Sequence, residues 1–101
     1  MAISKEQIML ALQEAMLGEI YNNIRAIVFK YDPKNKLFIL RYYLDREPIM
    51  DDYDNIGIVI AEFLAYFKYS DFDHISQECI YTDNLISQID VMDGIVYCRK
   101  E

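Results

Sequence analysis

The sequence predicts an α+β fold: an antiparallel sheet of about four strands with two helices packed on one face, in the order α-β-β-α-β-β. Three observations carry this reading. Apolar residues recur at three- and four-residue spacing in two segments, near 5–17 and 50–67. Between them, residues 23–44 switch to a period of two, broken once by a proline turn. Two short runs rich in β-branched and aromatic residues then follow the second helical segment. A chain of 101 residues in which 53% are hydrophobic, with only three Gly and two Pro, is expected to form a single domain over residues 1–101.

Ser4 is placed as the N-cap of the first helix, with Gln7 positioned to return the hydrogen bond and Ile3 and Ile8 as a hydrophobic staple. Ile8, Leu12, Ala15 and Met16 form the buried side, and Gly18 suits the left-handed position after the last turn. In the first strand, Asn23 to Tyr31, the spacing sets Ile24, Ala26 and Val28 on one face and Ile27, Phe29 and Tyr31 on the other. Both faces are therefore expected to be covered. Asp32-Pro33-Lys34-Asn35 is a turn in which proline presets a dihedral and the Asp and Asn side chains bond to nearby backbone. Lys36 to Leu44 then completes an antiparallel hairpin.

Pro48 ends that strand, and Asp51, Asp52 and Asp54 crowd the start of the second helix, where carboxylates favour the positive end of the helix dipole. Tyr53, Ile56, Ile60, Phe63, Leu64 and Phe67 give this helix a broad apolar stripe. Gly57 within it suggests a close approach to the sheet. Asp73 to Tyr81 and Ile95 to Arg99 are expected as the third and fourth strands. Residues 82–93 are either a loop or a helical turn pinned by Leu85, Ile86 and Ile89.

Charge is laid out unevenly. Residues 1–44 balance at +2, residues 45–101 at −9, and the segment from Tyr69 to Gly94 holds six acids and no Lys or Arg. Such a surface repels nucleic acid and steers a basic protein partner. A solvated face that keeps the chain soluble is the plainer alternative. Nine tyrosines and no tryptophan exceed what one small core can absorb, and tyrosine is enriched at interface hot spots. The candidate contact residues are therefore Asp71, Asp73, Glu78, Asp83, Asp90 and Asp93, with Tyr69 and Tyr81 as anchors. Asp51, Asp52 and Asp54 form a second candidate cluster.

Little suggests an enzyme. His74, the single histidine, stands an odd number of residues from Cys79, which sets the two on opposite faces of a strand. A surface histidine and two core thiols are expected. Asp71 and Asp73 would share a strand face beside His74, but two carboxylates at that spacing are common on solvated edges, so no metal site and no cofactor are expected. No apolar run is long enough to cross a membrane. The first residues lack the features of a signal peptide, and two cysteines are too few for a disulfide framework, so a cytoplasmic location is expected.

The run Ala11-Leu12-Gln13-Glu14-Ala15-Met16-Leu17-Gly18-Glu19-Ile20, the run Asn23-Ile24-Arg25-Ala26-Ile27 and the ending Val96-Tyr97-Cys98-Arg99-Lys100-Glu101 resemble small bacterial immunity proteins. These are encoded beside secreted polymorphic toxins, including those of contact-dependent growth inhibition. The resemblance implies a cytoplasmic, non-catalytic protein that binds the toxic C-terminal domain of one cognate toxin, often a nuclease, and blocks its active site. It assigns no binding residue. A small homo-oligomeric structural or adaptor domain, associating through exposed Tyr and strand edges, is the alternative.

Overall fold

At the start of the first helix, Ser4 Oγ accepts from the Gln7 N–H at 3.1 Å, and the Ser4 N–H donates to Gln7 Oε1 at 2.8 Å, closing the expected capping box. The structure, a computed structural model, describes residues 3–101 apart from the side chain of Tyr69. Helix α1 (Lys5–Ala15) buries Ile8, Ala11, Leu12 and Ala15. The chain turns away at Gly18, whose φ of 79° is strained for any residue with a Cβ.

Strands β1 (Ile24–Asp32) and β2 (Leu37–Leu44) form the predicted antiparallel hairpin. In its turn, Asp32 Oδ1 accepts from the Lys34 and Asn35 N–H groups, and Asp32 Oδ2 accepts from the Asn35 side-chain amide at 2.7 Å. Strand β1 is covered on both faces, as its sequence suggests. Ile27, Phe29 and Tyr31 join the main core, while Ala26 and Val28 belong to a second cluster on the opposite face. Ile24 departs from expectation. A register shift between Ile24 and Ala26 inserts a bulge, and Ile24 rejoins the side occupied by Ile27.

Helix α2 (Met50–Leu64) lays Ile56, Val59, Ile60 and Phe63 on the sheet. Phe63 stacks on Phe38 of β2 at 4.5 Å between ring centroids, and Phe67 and Phe72 close around it. The helix ends three residues earlier than its apolar stripe suggests, and Tyr53, placed on that stripe, is exposed.

The expected all-antiparallel sheet is mixed. Strand β3 (His74–Tyr81) runs parallel to β2 in an unbroken register from Leu37↔His74 to Leu44↔Tyr81. The cause lies in α2, which carries the chain back along the sheet, so that β3 starts at the same end as β2. Strand β4 (Gly94–Cys98) pairs antiparallel with β1, giving the order β3-β2-β1-β4. Both helices contribute to the main core on one face.

To reach β4 from β3, the chain must pass from one edge of the sheet to the other. It does so as a strap, residues 82–93, across the face away from the helices. The strap holds a 3₁₀ turn at Ile86–Gln88. Ile86, Ile89, Met92 and Ile95 pack on Ala26, Val28 and Tyr43, and Tyr43 Oη donates to the Asp90 carbonyl at 2.7 Å. Each alternative for this segment is thus met in part: it is mostly irregular chain with one helical turn, held by Ile86 and Ile89 while Leu85 is exposed. Among the described residues, no helix is long and apolar enough to cross a membrane.

Candidate functional site

The acids singled out by charge counting do not form one cluster, and their neighbours sort them into two kinds. Several are engaged in holding the fold. Asp93 Oδ2 accepts the Tyr31 N–H at 2.7 Å, and its other oxygen lies 3.5 Å from Lys5 Nζ. Glu78 pairs with Arg41 across β2 and β3 at 2.7 Å, and Arg41 also donates to Tyr43 Oη and lies over its ring. Asp71 accepts the Lys68 N–H at 2.8 Å inside a 3₁₀ turn, Tyr69–Asp71. Asp71 and Asp73 therefore do not share a strand face, because β3 begins only at His74.

Asp52 is the largest departure from a surface role. Its side chain is 1% exposed and accepts from Tyr21 Oη, from Arg46 Nη1 at 2.7 Å and Nη2 at 3.1 Å, and from the Ile49 N–H at 2.8 Å. Burial pushes its carboxyl upward, but the hydrogen bonds from Arg46, Tyr21 and the Ile49 backbone outweigh that and hold it at about 2. Burial and the same carboxylate push the Tyr21 hydroxyl upward. Dipole compensation is thus part of its role, and closure of the β2–α2 corner is the greater part. A partner cannot reach this group, whereas its neighbours Asp51 and Asp54 are exposed.

Side chains of the second kind are open. Asp73, Tyr81, Asp83 and Asp90 are exposed, and Asp90 Oδ1 accepts only a local Met92 N–H. Asp73 and Asp83 bracket the two ends of β3. The remaining candidate, the Tyr69 side chain, lies outside the described residues.

Every arginine of the chain is ion-paired internally. At one end of the sheet, Arg25, buried at 7% exposure, forks onto both oxygens of Glu101 at 2.7 and 2.8 Å and donates to the Thr82 carbonyl. Arg99 joins Glu101 to Asp45. The bond from Arg25 and the further bonds from Arg99 hold the Glu101 carboxyl at about 2. Arg25, Asp45, Asp83, Arg99, Lys100 and Glu101 line a broad groove of about 430 Å³, in which Arg25, Arg99, Asp45 and Glu101 satisfy one another. With the arginines occupied in this way, the exposed cations are lysines, and none lies between residues 69 and 94.

A second groove, about 400 Å³, opens where the end of α2 meets the start of β3 and is lined by Leu64, Phe67, Lys68, Phe72 and Ile75. Charge counting missed it. The available signal was Ile75 and Ile80, an odd interval apart on a strand that cannot bury both faces. Cys79 is buried, and burial raises its thiol to about 12, so it stays a thiol. Cys98, expected in the core, is exposed because the short β4 ends there. His74 is exposed. Among the described residues, no three His, Cys, Asp or Glu side chains converge to hold a metal ion.

The fold is α+β, with internally paired arginines, exposed acids at the ends of an edge strand and an apolar groove beside that strand. The chain's class is that of the immunity proteins. The sequence model of the MafI2 immunity protein family matches residues 5–101, and the chain belongs to that family. The match takes in both helices, all four strands and the strap. No individual curated protein matches the chain.

Proposed function

We propose that this chain is a cytoplasmic immunity protein that neutralises the toxic C-terminal domain of one cognate secreted toxin, of the contact-dependent type, by tight binding without a catalytic step. The observation that carries the reading is the family match over residues 5–101. The toxin domain is a basic protein, a nuclease by preference, because a cleft built for a polyanion is complementary to the exposed acids Asp73, Asp83 and Asp90. Nucleic acid itself and membranes are not its partners on this reading.

The test is protection. Cells producing the chain should survive expression of the toxin domain encoded beside it and succumb to an unrelated toxin domain. Stopped-flow association of the purified pair should slow steeply as salt rises, with dissociation changing less. Absence of protection against the neighbouring toxin would overturn the reading. An association rate flat across ionic strength would reduce the acidic surface to a solubility feature.

A further inference from the structure

We propose that the open edge of β3 and the apolar groove beside it dock an extended basic segment of the toxin domain, which adds to the sheet as a fifth strand; the inference rests on the immunity reading above. The backbone geometry supplies the first argument. The His74 and Thr82 N–H groups donate to the Lys36 and Leu44 carbonyls of the β2 side. Successive residues of a strand turn their backbone groups to alternate sides. Even-numbered residues of β3 therefore bond β2, while Ile75, Gln77, Cys79 and Tyr81 direct N–H and C=O out of the sheet. β3 is the terminal strand in the order, so no strand takes up these groups.

Proteins ordinarily blunt such an edge with Lys, Pro, a bulge or a very short strand. β3 has none of these. It is eight residues long, contains no Lys or Pro, and keeps its register with β2 throughout. The opposite edge, β4, is five residues long.

The groove supplies the second argument. Ile75 belongs to β3 and also lines the 400 Å³ groove with Leu64, Phe67 and Phe72, and Lys68 at its rim leaves the apolar floor to an uncharged side chain. Side chains of an added strand alternate between the faces of the sheet. One apolar side chain on the helix side would enter the groove, while those on the other side would lie beside Ser76, Glu78 and Ile80. Backbone pairing gives affinity in this mode of recognition, and the pocket gives specificity.

Charge identifies the occupant. Asp73 and Asp83 stand exposed at the two ends of the edge, and neither is among the ion-paired acids of the described residues, which favours a strand with basic residues near its ends. A second copy of this chain is disfavoured by the same acids. Twofold pairing of β3 with β3 sets Asp73 of one copy beside Asp83 of the other, acid against acid.

Amide hydrogen exchange followed residue by residue tests this, in the full chain alone and with the neighbouring toxin domain. The Ile75, Gln77 and Tyr81 amides should exchange freely in the chain alone and slow by about tenfold or more in the complex, while Ser76, Glu78 and Ile80 are protected in both. Gln77→Pro removes one outward donor, spares the β2 ladder, and should weaken binding by about tenfold with circular dichroism and urea midpoint retained. Should that variant fail to fold, Asp73→Lys with Asp83→Lys, two exposed sites, should weaken binding by at least as much. A complex that forms while these three outward amides still exchange freely overturns the proposal and leaves the immunity reading standing. Concentration-dependent protection of the same amides in the chain alone overturns it in favour of self-association. Absence of any complex overturns the immunity reading and this inference together.

Discussion

Replacing Asp52 with Asn should cost about 3 kcal/mol of folding stability, a large fraction of what a domain of this size possesses. The substitution keeps the shape and removes the charge from a side chain that is 1% exposed and accepts four hydrogen bonds. Breaking a fully buried ion pair costs about 3–5 kcal/mol. Arg46 discounts that figure, since its side chain is 33% exposed and regains water when its partner is neutralised. The remainder comes from Tyr21 Oη and the Ile49 N–H, whose bonds to a carboxylate contribute about 1.5–3 kcal/mol each and weaken when the acceptor is an amide. Urea denaturation should show the midpoint falling by about 1–3 M with an unchanged slope. The pH dependence has a definite sign. Asp52 is held at about 2, below its ordinary value of 3.8, so its contribution is fully present above pH 3.8 and is lost as pH falls towards 2. The gap between the native protein and Asp52→Asn should thus be constant from pH 7 to about 4 and narrow between about 4 and 2. A gap below about 0.5 kcal/mol, or one that does not narrow with acid, would refute the assignment of this corner as a buried charge network.

Two further substitutions test the packing. Phe63→Ala empties a fully buried site stacked on Phe38 and ringed by Phe67 and Phe72, and should lower stability by about 3–5 kcal/mol in the same urea assay; a midpoint shift worth under about 1 kcal/mol would contradict the aromatic cluster. Gly57→Ala should raise stability by about 0.5–1 kcal/mol, because a Cβ there meets nothing nearer than Gln77 Oε1 at 3.7 Å while helix propensity improves; destabilisation would mean that α2 sits closer to the sheet than the geometry shows.

Local interactions were legible in the sequence. Ser4 and Gln7 form their capping box within three residues, Asp32 and Asn35 hold their own turn, and the two-sided burial of β1 follows from the apolar residues that fall on both of its faces from Ala26 to Phe29. What escaped was fixed at long range. The parallel pairing of β3 depends on where α2 returns the chain, and the bulge that turns Ile24 depends on the register with β2. Gly57 suggested a close approach to the sheet that the structure does not require. The candidate site suffered in the same way. Composition weighs all acids alike, yet Asp52 and Glu78 meet arginines, Asp93 meets a strand amide, and Asp73 and Asp83 are left open. Only the fold supplies those partners. Exposed Ile75 and Ile80 were visible in the sequence as apolar residues on both faces of one strand, a pattern that charge counting passed over.

The strap has a consequence for how the chain is made. Strand β1 gains its first neighbour, β2, across a four-residue turn, so that pairing closes a short loop and is entropically cheap. Its second neighbour, β4, follows only after α2, β3 and the strap, and the strap can seat Ile86, Ile89 and Met92 only on a sheet that already exists. As the chain leaves the ribosome, helix α1, the hairpin and α2 can assemble while one side of β1 and the cluster of Ala26 and Val28 are still bare. The residues that follow β4 then act as a latch, with Glu101 gripping Arg25 and Arg99 once β4 has docked. Nascent chains arrested before Gly94 should therefore be held in an assembly-competent but sticky form, with the exposed side of β1 as the surface that chaperones guard.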